Sequence, residues 1–155
     1  MIRGRGSMAA HETVSVPGTT AGVGRAAAAF DDFCRDRAVP PEARWRFQIA
    51  LDEILSNIVR HGYKGTAGII ALTFTHDGRT VSVEVVDSAP AFDPRHAPPP
   101  DTSSPVESRR PGGLGIVLAE ELLDELAYER RDEHNHVRLT WRMRRDEPRT
   151  TVKGD

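Results

Sequence analysis

The sequence predicts an α+β fold: a two-layer α/β sandwich whose mixed, mostly antiparallel sheet carries its helices on one face. Three observations point there. Apolar residues alternate at strand spacing in paired runs, and one pair is joined by Asp77-Gly78, a hairpin signal that makes its two strands antiparallel neighbours. Helical segments cluster before that pair and recur once after it, so they can cover one face of the sheet. Finally, 155 residues with 38% hydrophobic content are enough for one core, and a second domain is not expected.

The elements follow in chain order. Residues 1–10 lack an apolar targeting segment and precede or include a second methionine, Met8, so they read as a leader and disordered N-terminus. Residues 12–16 alternate polar and β-branched side chains until Pro17-Gly18 stops them, which predicts a short strand. Thr19 or Thr20 can cap a helix running through Gly22 to about Arg37, with Ala26, Phe30 and Phe33 on its packing face. Pro40-Pro41-Glu42 ends that helix and starts the next, because proline loses nothing at a first-turn position and Glu42 favours the positive end of the helix dipole. Phe47, Leu51, Ile54 and Ile58 form its apolar stripe, and it should stop near His61-Gly62.

Ile70, Leu72 and Phe74, then Val81, Val83 and Val85, give the two central strands, the second ending on Asp87. Residues 88–111 are rich in proline, serine and charge, with Pro98-Pro99-Pro100 in the middle and no periodicity. A loop this long inside one domain suggests a lid. A helix follows Gly115, with Ile116, Val117, Ala119, Leu122 and Leu123 apolar. Leu126-Ala127-Tyr128 is a strand, residues 131–135 a turn, and Val137, Leu139, Trp141 and Met143 the inward positions of a last strand. The domain is therefore expected over residues 11–144, with a polar tail at 145–155.

Composition excludes several function classes. Lys+Arg 21 against Asp+Glu 23 gives a formal charge of −2, hence no general attraction to nucleic acid. Cys34 is the single cysteine, so neither an intrachain disulfide nor a cysteine metal cage can form, as suits a reducing, cytoplasmic compartment. No apolar run approaches the roughly 20 residues of a membrane span.

Three separated segments carry the chemistry. Glu53 and Asn57 are four residues apart and so share one helix face; Asp87 ends a strand; Gly112-Gly113-Leu114-Gly115 leads into a helix. Singly, each has a plain structural reading, as solvated polar residues, a turn aspartate and a loop with its cap. Together they describe a nucleotide site. Glycines let backbone approach a phosphate, the following helix N-terminus attracts anions, and Asn57 offers an oxygen to Mg²⁺. Glu53 can take a proton from an attacking hydroxyl, and Asp87 can accept a hydrogen bond from a base amino group. The histidines His11, His76, His96 and His134 fall in loops or at strand ends, where solvation explains them.

Carried by DEILSNIVRHGY, DSAPAFDP, PGGLGI and LLDELAYERRDEHNHVRLTW, the chain resembles the GHKL (Bergerat-fold) ATPases over roughly residues 12–143, most closely the anti-sigma-factor serine/threonine kinase branch with its histidine kinase-like ATPase domain. The resemblance implies ATP and Mg²⁺ as cofactors, Asn57 as the metal ligand and Glu53 as the general base. It implies that Asp87 recognises the adenine amino group beside Ala89, and that Gly112, Gly113, Leu114 and Gly115 hold the phosphates under the lid, with Arg110 reaching the γ-phosphate. It implies an ATP-dependent anti-sigma factor that phosphorylates a serine or threonine on a STAS-type anti-anti-sigma protein and sequesters a sigma factor, in a partner-switching homodimer without direct nucleic-acid or membrane contact. Two departures stand out. Ala89 occupies a position that is usually glycine, which favours an alternative reading as a nucleotide-binding or nucleotide-independent regulatory module without kinase activity. The threonine that the last strand often places near adenine has no counterpart in register: Thr140 is displaced, leaving His136 or Arg138 nearest.

Overall fold

The computed structural model describes residues 9–96 and 114–144. Five strands and three helices follow one another as β1 (Ala10–Pro17), α1 (Thr20–Asp36), α2 (Pro41–Asn57), β2 (Ile69–His76), β3 (Thr80–Asp87), α3 (Leu114–Leu122), β4 (Glu125–Arg131) and β5 (His134–Arg142). A π-helical turn, Ile58–Tyr63, continues α2, and a 3-10 turn, Pro94–His96, follows β3. The strands form one sheet in the order β1-β2-β3-β5-β4, and every pairing among them is antiparallel. The α+β class and the one-sided placement of helices agree with the sequence expectation.

Local chemistry explains the boundaries. Thr19 caps α1 by accepting a hydrogen bond from Gly22 N at 3.1 Å. A β-carbon at Gly22 would lie 1.7 Å from the Pro17 carbonyl oxygen, so only glycine lets α1 turn back this closely onto the end of β1. At the β2–β3 turn, Asp77 Oδ1 accepts from Arg79 N and Thr80 N at 2.8 and 2.7 Å while Gly78 takes φ +93°. Those backbone donors hold the Asp77 carboxyl below its ordinary range.

The core lies between the helices and the inner face of the sheet. Phe30, Phe33, Phe47 and Phe74 are buried, with neighbouring ring centroids 5.3 to 5.5 Å apart in tilted or edge-on contacts. Inward residues of β2 and β3 alternate with outward ones, and β5 follows the same pattern except at Thr140, which is also buried, as suits a sheet covered mainly on one face. Asp31 of α1 accepts from Arg44 Nε at 3.2 Å and from the Gln48 amide, joining α1 to α2 at the edge of this core.

Four details differ from the sequence expectation. Ala10 pairs with His76, so β1 opens within the segment read as a leader. The turn before β5 is confined to Asp132 and Glu133, both at positive φ (51° and 62°), and the pairing of Arg131 with His134 leaves His134 and Asn135 inside the strand. The polar run 131–135 hid that boundary, because strand residues near a hairpin tip need not be apolar. Within the loop after β3, residues 94–96 form a turn with Pro94 buried; the remainder of the lid, residues 97–111, lies outside the described residues. Val117 and Met143, placed on apolar faces by their spacing, are exposed.

Candidate functional site

Asn57 is the last residue of α2, and the π turn begins immediately after it. Its amide is buried, at 6% exposure, and among the described residues it makes no side-chain hydrogen bond. The wider winding of the π turn, closed by Lys64 N donating to Val59 O at 3.2 Å, brings Gly62 round beside the loop after β3. Such single π turns interrupt helices mainly where a site needs a displaced residue.

Tyr63 ends that turn and fastens it. The hydroxyl donates to Ile69 O at 2.7 Å and accepts from Ser88 N at 3.0 Å, so one side chain ties the π turn to the start of β2 and to the residue after Asp87. Gly18 and Gly68 sit against its ring; a β-carbon on Gly68 would lie 2.1 Å from Tyr63 Cε1.

Asp87 ends β3 at 3% exposure, directly opposite Asn135 of β5. Its Oδ1 accepts from Ala89 N and from Asn135 Nδ2, both at 2.9 Å. The same Asn135 amide nitrogen lies 3.2 Å from Ala89 O and 3.1 Å from Pro90 O, while Asn135 Oδ1 accepts from Tyr128 Oη at 2.7 Å and Phe92 N at 3.3 Å. Arg130 of β4 adds a bond from Nη1 to Ala89 O at 2.8 Å. Burial pushes the Asp87 carboxyl above its ordinary range, against the hydrogen bonds from Asn135 and Ala89 and the charges of Arg130 and His134, which favour the ionised form.

These segments line a narrow cleft of ≈ 20 Å³ that is open to solvent. Asn57, Gly62, Asp87, Ala89, Phe92 and Asn135 contribute to its walls, with Ile54, Ile58 and Val137 supplying apolar surface. Apolar walls with a few convergent polar groups suit a flat heterocycle that presents a hydrogen-bond donor.

The structure therefore brings three of the expected site residues together: Asn57, Asp87 and Ala89. Glu53 is one turn before Asn57 on α2; its Oε2 is buried without a hydrogen-bond partner among the described residues, and it does not line the pocket wall. Leu114 and Gly115 open α3, which packs against α2, while Arg110, Gly112 and Gly113 lie outside the described residues. The β5 assignment is corrected. His136, one of the two residues left nearest the adenine position, pairs with Val86 on the outer sheet face, where Nδ1 lies 3.0 Å from Glu84 Oε1; Arg138 is opposite Glu84, and Thr140 opposite Ser82. The residue that meets Asp87 is Asn135.

Ala89 resolves as a question of size. It is absent from the residues with positive φ, so no left-handed backbone demands glycine there, and its methyl is accommodated by Gly62: a β-carbon on Gly62 would lie 2.9 Å from Ala89 Cβ. The Gly62→Ala variant is expected to lose about 1–3 kcal/mol of stability through overpacking, more than helix propensity returns. Adding Ala89→Gly should recover most of it. A double-mutant cycle by urea denaturation measures the coupling, and strictly additive effects would contradict this contact.

Asn57 provides one neutral oxygen, and among the described residues no group of three or more His, Cys, Asp or Glu side chains could hold a metal. That donor set fits Mg²⁺, which keeps waters and shares phosphate oxygens, and not a cation that needs a full protein cage.

A profile of the histidine kinase-like ATPase domain matches residues 16–141. The chain is 39% identical over 101 residues to the serine/threonine-protein kinase BtrW of Bordetella bronchiseptica, covering 63% of this chain and 71% of that protein. It is 36% identical over 83 residues to the serine-protein kinase RsbW of Bacillus thuringiensis, covering 51% of this chain and 52% of the relative, so it spans about half of that protein's length. Among solved structures, the RsbU and RsbW domains of Rv1364c from Mycobacterium tuberculosis superpose with a TM-score of 0.61 at 18% identity, over 86% of this chain and 32% of that one, a likeness of fold.

Proposed function

This chain belongs to the histidine kinase-like ATPase domain family, in the branch of the serine-protein kinases RsbW and BtrW, and on that premise we propose that it is an ATP-dependent anti-sigma factor with protein-serine/threonine kinase activity. It transfers phosphate to a serine or threonine of a STAS-type anti-anti-sigma protein; phosphorylation releases that protein and leaves the kinase free to sequester a sigma factor. The cycle takes place in the cytoplasm between homodimers and their partners, without nucleic-acid or membrane contact. No helix among the described residues is long and apolar enough to cross a membrane.

The observation that carries this reading is the convergence of Asn57 and Asp87 on one pocket with apolar walls. Asp87 accepts the amino hydrogen of adenine, and Ile54, Ile58 and Val137 cover the ring faces. Asn57 would hold Mg²⁺, which would supply neutralisation of phosphate charge there. Gly112, Gly113, Leu114 and Gly115, with Arg110, cradle the phosphates by backbone N–H groups and charge under the lid. Glu53 takes the proton of the attacking hydroxyl as its oxygen bonds to the γ-phosphorus and the bond to the β–γ bridging oxygen breaks, releasing ADP. The chain supplies mainly position and charge, as phosphoryl transfer requires.

Two measurements test this. Calorimetry with Mg-ATP should show binding, and labelled γ-phosphate should appear on a STAS-domain protein that co-purifies with the chain. Absence of binding at millimolar Mg-ATP would sink the reading. Binding without transfer to any such protein would favour the alternative, a regulatory module without kinase activity; Ala89, the feature that suggests it, is housed without backbone strain.

A further inference from the structure

We propose that Asn135 is the positioning residue for base recognition in this pocket, holding Asp87 and the 89–92 backbone in one arrangement so that Asp87 Oδ2 alone is left to meet the base. The inference deepens the ATP-binding reading and rests on it for its ligand.

The geometry is lopsided in a way that needs a cause. Both hydrogen bonds to the Asp87 carboxylate go to Oδ1, from Ala89 N and Asn135 Nδ2. Among the described residues Oδ2 makes none, and it is not sealed from the pocket. An ionised carboxylate with one oxygen saturated presents a single, directed acceptor, which suits a base amino group and refuses a base that offers a carbonyl oxygen at the same place. Asn135 also fixes what surrounds that acceptor. Its amide nitrogen lies within hydrogen-bond distance of the carbonyls of Ala89 and Pro90, and its oxygen receives Phe92 N and Tyr128 Oη. Five groups from three segments thus converge on one side chain at 3% exposure, and no other side-chain type supplies both donors and an acceptor in so short a reach.

The charge on Asp87 depends on the same bond. Of the influences that favour its ionised form, the hydrogen bond from Asn135 is the largest, ahead of Ala89 N and of the charges on Arg130 and His134. Those two are the ionisable groups facing Asp87 from β4 and β5. On the other sides, α2 and the π turn contribute Ile54, Asn57, Ile58 and Gly62 to the pocket, with the Tyr63 hydroxyl on Ser88, and in the following loop Asp93 and Arg95 form an ion pair. Removing the amide therefore leaves burial less opposed.

The test uses the full chain with Asn135→Leu, which keeps shape and removes every polar contact, and Asn135→Ser, which keeps one short donor and serves if the leucine variant does not fold. Carboxyl-carbon NMR should follow Asp87 with pH in the nucleotide-free protein, and calorimetry should give affinities for ATP and inosine triphosphate. The Asp87 midpoint is expected to move to higher pH in Asn135→Leu and by a smaller step in Asn135→Ser. The preference for ATP over inosine triphosphate should fall about tenfold, the loss of roughly one good hydrogen bond. A structural defect alone would weaken both nucleotides together. An unchanged Asp87 midpoint, or an unchanged nucleotide preference in a folded variant, overturns the assignment. If the wild type binds neither nucleotide the ATP-binding reading fails instead, and the Asp87 titration still decides whether Asn135 controls that carboxylate.

Discussion

Glu53→Ala is expected to lower phosphoryl transfer by roughly 10²–10⁴-fold, the range a positioned general base contributes, while Mg-ATP affinity stays within about threefold of wild type. Glu53 Oε2 has no hydrogen-bond partner among the described residues, and a buried carboxylate oxygen without a partner costs stability. Its place one turn before Asn57 sets it beside the pocket wall without making it part of that wall, so a neutral replacement should spare nucleotide binding. Thermal stability should hold or rise, as it does when a functional residue is held at the expense of the fold. Asn57→Ala provides the contrast, because it lines the pocket and should impair Mg-ATP binding and transfer together. Single-turnover transfer to the protein acceptor separates the two, and wild-type transfer by Glu53→Ala would show that another group takes the proton.

Asp87→Asn should abolish measurable ATP binding, a loss of at least about 10²-fold, while leaving the fold intact. The replacement keeps an oxygen to receive Ala89 N and Asn135 Nδ2 but turns an NH₂ toward the base, where it meets the amino group of adenine donor to donor. Inosine triphosphate, with a carbonyl oxygen at that position, should lose far less, and calorimetry with the two nucleotides compares them directly. Equal losses for both would mean that Asp87 does not read the base.

The same carboxylate makes a prediction about pH. Burial raises its folded midpoint above the ordinary 3.8, so the folded state disfavours the ionised form. Its contribution to stability is therefore fully present below that ordinary value and is lost as pH rises through the raised midpoint. Relative to wild type, Asp87→Asn should gain stability across that window and hold the gain above it. ATP binding runs the other way, since the amino group needs the ionised acceptor, and wild-type affinity should fall as pH drops through the Asp87 midpoint. Urea unfolding and calorimetry over the same pH series check both signs.

Much of the site was legible because it lies on elements with strong local signals. The stripe of Phe47, Leu51, Ile54 and Ile58 fixes which way α2 faces, and that places Glu53 and Asn57. Asp87 ends a strand of alternating valines, and the Asp77-Gly78 turn sets the register of β3 against β2. Asn135 was not legible, for it sits two residues past a turn whose two positive-φ residues are Asp132 and Glu133 and not the usual glycine or asparagine pair. The inward set Val137, Leu139 and Trp141 was legible from its alternation, but that Asn135 continues it opposite Asp87, while His136 and Arg138 lie on the other face, follows only from the pairing of β5 with β3.

The sequence by itself determined the α+β class, the order of elements, the one core and the pairing of Glu53 with Asn57, since each depends on periodicity or turn chemistry within a short window. Only the tertiary structure decided that β3 lies between β2 and β5, that Asp87 therefore faces Asn135, that Tyr63 ties the π turn to Ser88, and that the methyl of Ala89 fits because Gly62 has none. Those contacts join residues 25 to 48 positions apart, and their distances are set by how the sheet and helices pack, which no local pattern encodes.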